Sequence, residues 1–206
     1  MSNPYQIAVN NVVHETVVNR SRFICYLMPC QSIEEAKEQV KLCQLEHPQA
    51  SHHCYAFLTK AAHDSLGFGY SDDGEPSGTA GKPMLAVLKG GGIGKVCAVV
   101  VRYFGGTKLG TGGLQRAYGD SVRQALVFLQ AKVQIPMATK TLACQYNQVD
   151  DVLHVVNQIE GQVLEQEYLQ QVQLKLSLPQ AKLAWVEHKL QTLSAGELSL
   201  KPSENG

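Results

Sequence analysis

Residues 71–83 read SDDGEPSGTAGKP and residues 102–114 read RYFGGTKLGTGGL. Neither segment can hold a hydrophobic core by itself, because glycine and proline offer little apolar area and glycine loses much backbone entropy on folding. Two apolar pieces, Met84–Leu88 and Val96–Val101, lie between them and are expected to be buried. We therefore predict two structured loops at the ends of packed elements, an arrangement that often forms a binding or catalytic site.

The residues around these loops predict an α+β domain. Strands are predicted at residues 12–18, 23–28, 54–58 and 66–70, and a helix is predicted after Ser32, which has a glutamate three positions later as in a capping box. Residues 82–89 are predicted to form a second helix. Val96–Val101 is apolar on both faces and predicts a central strand. The apolar stripe that begins at Leu114 predicts a third helix, which runs to about residue 131.

The sequence changes character at Ile135-Pro136-Met137. Beyond this point the predicted order is a strand at 141–146, a helix at 149–159, strands at 163–169 and 172–178, a helix at 183–193 and a last strand at 197–200. The order βαββαβ is that of the ferredoxin-like fold. We predict two domains, residues 1–136 and residues 137–206, and the second carries no polar constellation of its own.

The composition indicates a cytoplasmic protein. Hydrophobic residues make up 44% of the chain and charged residues 17%, which is ordinary for a globular protein. The longest apolar run is far shorter than a membrane span, and the first residues do not resemble a secretory signal. Six cysteines without a Cys-x-x-Cys pair indicate buried, reduced thiols. We expect no membrane association, no metal and no cofactor, and the oligomeric state stays open.

Charge is distributed unevenly along the chain although the formal net charge is zero. Residues 82–123 contain seven basic side chains against one acidic side chain, Asp120. A neutral protein is a poor candidate for tight, salt-driven binding of nucleic acid. A basic face around the glycine-rich loops keeps that function open, and the alternative is a set of solvated surface lysines.

The glycines do not match the known nucleotide-binding loops. The P-loop spacing fails because Lys89 stands where its first glycine would be, and the dinucleotide spacing that starts at Gly110 fails at Gln115. Gly110–Gly113 do precede the predicted third helix, and free amides at the start of a helix attract phosphate, carboxylate or a nucleic-acid backbone. The alternative is that these glycines only permit a tight turn into the helix.

The acidic loop supplies the candidate catalytic residues Asp72, Asp73 and Glu75, with His52 or His53 as an assistant. Three carboxylates in four residues are able to hold Mg²⁺ or to transfer protons, but such residues also cap turns and helices. The two histidines are adjacent in a predicted strand and therefore point to opposite faces. Their spacing from the cysteines matches no familiar zinc site.

Three segments of the chain resemble the YigZ/IMPACT family: residues 52–55, residues 71–82 and residues 101–110. The resemblance covers roughly residues 10–130, and residues 140–200 are similar to the small C-terminal domain of the bacterial members. It implies a first domain like the second domain of ribosomal protein S5, followed by a ferredoxin-like domain. This pair is similar to two consecutive domains of elongation factor G, which works inside the ribosome.

The resemblance implies a translation-linked binding role with RNA or the ribosome as the partner, or a protein partner in translation. In this hypothesis Lys82, Arg102, Lys108 and Arg116 contact phosphates, and Tyr103 stacks on a base. Gly105, Gly106, Gly112 and Gly113 let the backbone approach the ligand closely, and Thr107 is a further candidate ligand-binding residue. Two alternatives remain open: an enzyme that acts on a small phosphorylated or carboxylated substrate through the acidic loop, and a protein–protein adaptor. No serine or cysteine has the local context of an activated nucleophile.

Overall fold

The computed structural model describes residues 3–203. Contacts divide the chain into two compact units, Tyr5–Gln134 and a second unit that begins at Ile135. Both units combine helices with sheets, so the predicted α+β class is confirmed. The first unit contains, in chain order, β1 (Tyr5–Ala8), β2 (Val12–Val18), β3 (Ser21–Pro29), α1 (Ile33–Glu46), β4 (His52–Leu58), β5 (Phe68–Ser71), α2 (Gly81–Gly90), β6 (Ile93–Gly94), β7 (Val96–Tyr103), α3 (Gly110–Leu126) and β8 (Ala131–Gln134).

A five-stranded antiparallel sheet with the order β2-β3-β7-β4-β5 forms the centre of the first unit. Strand β7 is the central strand, as the unbroken apolar run predicted, and its residues from Val96 to Arg102 are all buried. Strands β3 and β4 both run antiparallel to β7 and are therefore parallel to each other, connected by α1.

Helices cover both faces of this sheet. On one face α1 packs through Ala36, Val40 and Cys43. Its first turn is capped as predicted, because the Ser32 hydroxyl accepts from the backbone N–H of Glu35 at 3.1 Å. On the other face α2 and α3 pack against the sheet and against each other, and the fully buried Tyr118 of α3 is the largest side chain of that core.

Helix α3 differs from its prediction at both ends. It begins at Gly110 rather than at Leu114, and it ends at Leu126 rather than near residue 131. The four residues Gly110–Gly113 therefore form the first turn of the helix instead of a turn that precedes it. A second sheet with the order β6-β1-β8 was not predicted, since its strands are two to four residues long and come from distant parts of the chain.

The second unit has the ferredoxin-like order. Its elements are β9 (Met137–Cys144), α4 (Val149–Asn157), β10 (Gln162–Tyr168), β11 (Val172–Pro179), α5 (Leu183–Leu193) and β12 (Lys201–Pro202). The antiparallel sheet order is β10-β11-β9-β12. The last strand was predicted at residues 197–200, which is wrong: that segment is irregular because the Ser194 hydroxyl accepts from the N–H of Leu198, and Leu198 turns into the core.

Two further findings bear on the expected environment of the protein. All six cysteines are buried and carry free thiols. Within residues 3–203, none of the helices is both long enough and apolar enough to cross a bilayer.

Candidate functional site

The acidic loop connects β5 to α2, and Asp72 organises it. The Asp72 carboxylate accepts hydrogen bonds from the backbone N–H groups of Gly78 (2.7 Å), Ala80 (2.9 Å) and Gly81 (2.8 Å). Burial raises the pKa of the Asp72 carboxyl, but the three amide donors outweigh it, so the pKa lies below its ordinary value. Asp72 therefore caps the amino end of α2 from nine residues upstream.

Asp73 and the two histidines fix the same loop to β4. One oxygen of the Asp73 carboxylate accepts from the backbone N–H of His53 at 2.6 Å, and His52 Nδ1 donates to the carbonyl oxygen of Asp73 at 2.7 Å. The ring of His53 lies on the other side, where Nε2 is 3.2 Å from the carbonyl oxygen of His47. These contacts give Asp73, His52 and His53 structural partners within the first unit.

Glu75 enters the interior and forms an ion pair with Arg102 at the end of β7. The side chains of Glu75 and Arg102 are 4% and 6% exposed, so this pair is shielded from solvent. The Tyr118 hydroxyl donates to the same Glu75 oxygen at 2.8 Å, and His52 Nε2 lies 3.8 Å from it. Cys54 Sγ in turn lies 3.3 Å from the Tyr118 hydroxyl. The two loops are thus joined by a buried polar network.

Burial and the neighbouring Cys54 and Glu75 raise the pKa of the Tyr118 hydroxyl, and burial raises the pKa of the Cys54 thiol. Both groups are therefore protonated at neutral pH. A protonated, enclosed thiol is not a nucleophile, and Cys54 acts here as a packed core residue.

The second loop follows β7 and is held against the β2–β3 turn. The Ser21 hydroxyl accepts from the N–H of Gly105 at 3.1 Å and lies 3.4 Å from Arg102 Nη2. A Cβ atom on Gly105 would lie 2.0 Å from the carbonyl carbon of Arg20, so only glycine fits this approach. The N–H of Phe104 donates to the Ser51 hydroxyl at 3.2 Å. The backbone of this loop is consequently fixed on both sides of Phe104.

A cleft of about 330 Å³ opens between the two loops. Its floor holds the ion pair of Glu75 and Arg102, and its walls are formed by Pro76, Phe104, Lys108, Leu109, Gly110, Thr111 and Leu114. Gly110 and Thr111 begin α3, and the N-cap residue Leu109 provides no side-chain hydrogen bond to this helix end. The cleft therefore combines an apolar wall with backbone N–H groups that lack an intrahelical partner.

The predicted ligand-binding residues fall into three groups. Arg102 and Lys108 line the cleft, and Gly105, Gly106, Thr107, Gly112 and Gly113 belong to the loop and helix turn beside it. Lys82 and Arg116 are exposed near the amino ends of α2 and α3. Tyr103 lies apart from these residues, because neighbours in a strand point to opposite faces. Its hydroxyl is 2.9 Å from His47 Nδ1, on the face of the sheet that α1 covers.

Phe104 was not among the predicted site residues, although it lines the cleft and is 50% exposed. The signal that identifies it is an aromatic residue placed directly after a buried strand and before two glycines. The predicted acidic candidates separate: Glu75 lines the cleft, whereas Asp72 and Asp73 are used by the loop itself. Within residues 3–203, no group of three or more His, Cys, Asp or Glu side chains is arranged to hold a metal ion.

Two family models match this chain. The Impact N-terminal domain matches residues 19–126, and a domain of unknown function, DUF1949, matches residues 142–197. The first match contains every residue that lines the cleft. The second match lies within the ferredoxin-like unit, and a domain of unknown function assigns no activity to that unit.

Several proteins are similar over almost the whole chain. IMPACT family member YigZ of Escherichia coli (strain K12) is 46% identical over 183 residues, which cover 89% of this chain and 90% of that protein. An IMPACT family member of Haemophilus influenzae is 39% identical over 98% of both chains. A crystal structure of a hypothetical protein has a TM-score of 0.70 and 42% identity, with 100% of both chains covered.

Proposed function

Because the chain belongs to the IMPACT family, which is translation-related, we propose that it is a translation-linked protein that binds RNA or the ribosome through the cleft between its two loops. The observation that carries this proposal is the uncapped amino end of α3, which opens into the cleft beside Lys108. Backbone amides at such an end and a nearby cation are together suited to a phosphate group.

The contrast between the two neighbouring helices supports this proposal. At α2 the Asp72 carboxylate already occupies the amides of Ala80 and Gly81, so that helix end is closed to an anion. At α3 the N-cap residue is Leu109, whose side chain has no acceptor to offer. One helix end is thus satisfied by the protein, and the other is left for solvent or a ligand.

The basic side chains near the cleft support the same proposal. Helices α2 and α3 run side by side in the same direction, since Gly119 packs against Val87 and Gly91 packs against Leu126. Their amino ends therefore lie at the same end of the layer and carry Lys82 on α2 and Arg116 on α3. Within residues 3–203, neither of these side chains nor Lys108 forms an ion pair.

Other basic residues of the same run have different surroundings. Arg123 pairs with Asp120, and the Lys89 ammonium group lies 3.7 Å from the centre of the Phe68 ring. Lys95 precedes β7, at the opposite end of that strand from Arg102, and eight strand residues span about 26 Å. The cationic surface that faces the cleft is therefore smaller than the sequence count of seven implies.

The test is co-sedimentation of the purified protein with ribosomes across a salt series. The variant Lys108→Glu/Arg116→Glu is compared with Lys37→Glu/Lys41→Glu, which reverses two exposed charges on α1, on the opposite face of the sheet. We expect binding that weakens with salt, that the first variant loses and that the control retains. Binding that survives the first variant would refute the cleft as the contact surface and would favour the adaptor alternative.

A further inference from the structure

Phe104 lines the cleft and is half exposed. Its side chain is 50% exposed although its backbone is fixed by Ser51, and the adjacent amide of Gly105 is fixed by Ser21. The Arg102 guanidinium lies 5.6 Å from the centre of the Phe104 ring, within the range of a cation–π contact. An exposed aromatic ring on a rigid backbone is a ready surface for stacking, because little conformational entropy is lost when a planar ligand binds.

Arg102 has hydrogen-bonding capacity that the protein does not use. The residue is only 5% exposed, and it lines the cleft. Its Nη1 and Nη2 atoms contact Glu75 and Ser21, whereas its buried Nε–H has no acceptor among residues 3–203. An unpartnered buried donor is uncommon in folded proteins, since leaving it unpaired costs free energy. The Arg102 side chain thus lines the cleft against the Phe104 ring and places a fixed cation there.

The cleft is lined by two kinds of group. Pro76, Phe104, Leu109 and Leu114 contribute apolar surface, and Lys108 and the start of α3 contribute a cation and backbone amides. Its volume of about 330 Å³ lies at the small end of the range for ligand pockets, which is about 300–1,000 Å³. These features fit a small molecule or group that carries both a flat ring and an anion.

Resting on the proposed function, we infer that this cleft takes one unpaired nucleotide of an RNA strand, with its base on the Phe104 ring and its phosphate at the amino end of α3. A base within a duplex is stacked on both sides and cannot present its face to a side chain. A bare phosphate would leave Phe104 and the apolar wall without a role. The structure therefore assigns Phe104, rather than Tyr103, as the stacking residue.

The experiment measures fluorescence anisotropy of two labelled probes, a single-stranded oligouridylate of about ten nucleotides and an RNA duplex of the same length. The full-length protein is compared with Phe104→Ala, Phe104→Trp and Phe128→Ala. Phe128 is a matched control, because it is 58% exposed and lies after α3, away from the cleft. Far-UV circular dichroism checks that each variant is folded. We expect all three variants to fold, because both phenylalanine rings are half exposed and contribute little to the core.

We expect Phe104→Ala to weaken single-strand binding by about 5- to 150-fold, the range for loss of one stacked base, while Phe104→Trp retains it. Phe128→Ala should bind like the parent protein, and duplex binding should not respond to Phe104→Ala. Salt-dependent RNA binding that Phe104→Ala leaves unchanged would overturn this inference and leave the proposed function intact. Absence of any RNA binding by the parent protein at low salt would also overturn this inference, and co-sedimentation with ribosomes would then decide the proposed function.

Discussion

The variant Glu75→Gln tests whether the buried ion pair holds the two loops together. Glutamine keeps the volume of the side chain and an oxygen that accepts from Tyr118, so the change mainly removes the negative charge. The Arg102 side chain, only 6% exposed, would then be buried without a counter-charge. Removal of one partner from such a pair costs about 3–5 kcal/mol of unfolding free energy. This is a large share of the total for a domain, which is about 5–15 kcal/mol.

The predicted loss of stability depends on both members of the pair, so a double-mutant cycle tests it. Arg102→Met alone should destabilise the first unit, because it leaves Glu75 buried and unpaired. The double variant Glu75→Gln/Arg102→Met removes both charges and should recover part of the loss, since neutral groups carry no such desolvation penalty. We expect a coupling free energy of about 2–3 kcal/mol between the two positions.

The assay is urea unfolding of the full chain at neutral pH. Far-UV circular dichroism follows both units, whereas fluorescence follows the second unit, because Trp185 on α5 is the single tryptophan of the chain. The loss of stability should appear in the circular dichroism signal of the first unit. If the effects of the two single variants simply add in the double variant, within about 0.5 kcal/mol, Glu75 and Arg102 are not energetically coupled and do not hold the two loops together.

Three further predictions follow from the local geometry. Asp72→Asn should cost about 1–2 kcal/mol at neutral pH, and because the pKa of Asp72 is lowered in the folded state, its stabilising effect should fade as urea unfolding is repeated below about pH 4. Gly105→Ala should lower the melting temperature, because its Cβ would clash with Arg20, whereas Gly112→Ala, with open space around it, should raise it slightly; calorimetry that finds equal effects would contradict the close approach. Burial raises the pKa of Cys30 and Cys43 to about 11, so iodoacetamide at about pH 8 should label neither thiol in the native protein and all six cysteines after denaturation, as counted by mass spectrometry.

The sequence predicted most elements of the fold because their apolar patterns are local. Helix α1, strand β3 and the ferredoxin-like order of the second unit follow from periodicity within single segments. The sheet β6-β1-β8 could not be predicted in this way. Its strands are too short to show a period, and β1 pairs with segments about 85 and 125 residues away.

The two loops that line the cleft could be located from their composition, but the directions of their side chains could not be predicted. Strand β7 is buried on both faces, so its apolar run has no alternation that would tell which face Arg102 takes and which face Tyr103 takes. The face is decided by tertiary packing of α1 on one side and α2 and α3 on the other. For this reason the sequence led to Tyr103 as the stacking residue, whereas the structure brings Phe104 into the cleft.

The role of the acidic loop could not be predicted from the sequence either, for a different reason. From the sequence, Asp72 was a candidate metal ligand or proton-transfer group, with the capping of a turn or helix as the alternative. Its role as a cap depends on the loop folding back so that Gly78, Ala80 and Gly81 reach one carboxylate, and this geometry spans nine residues rather than the usual three. No local spacing rule contains that information.

The number of basic side chains available to a ligand near the cleft is also smaller than the sequence suggests. The sequence counts seven basic residues between positions 82 and 123, but only Lys82, Lys108 and Arg116 are both near the amino ends of α2 and α3 and free of an ion pair within residues 3–203. Each phosphate contact on a single strand contributes about −0.7 to the slope of log affinity against log salt. Three contacts predict a slope near −2, whereas all seven would give a slope near −5. A salt titration of single-stranded RNA binding therefore distinguishes a small built site from a general basic surface, and a slope near −5 would mean that the surrounding lysines and arginines, rather than the cleft, supply the affinity.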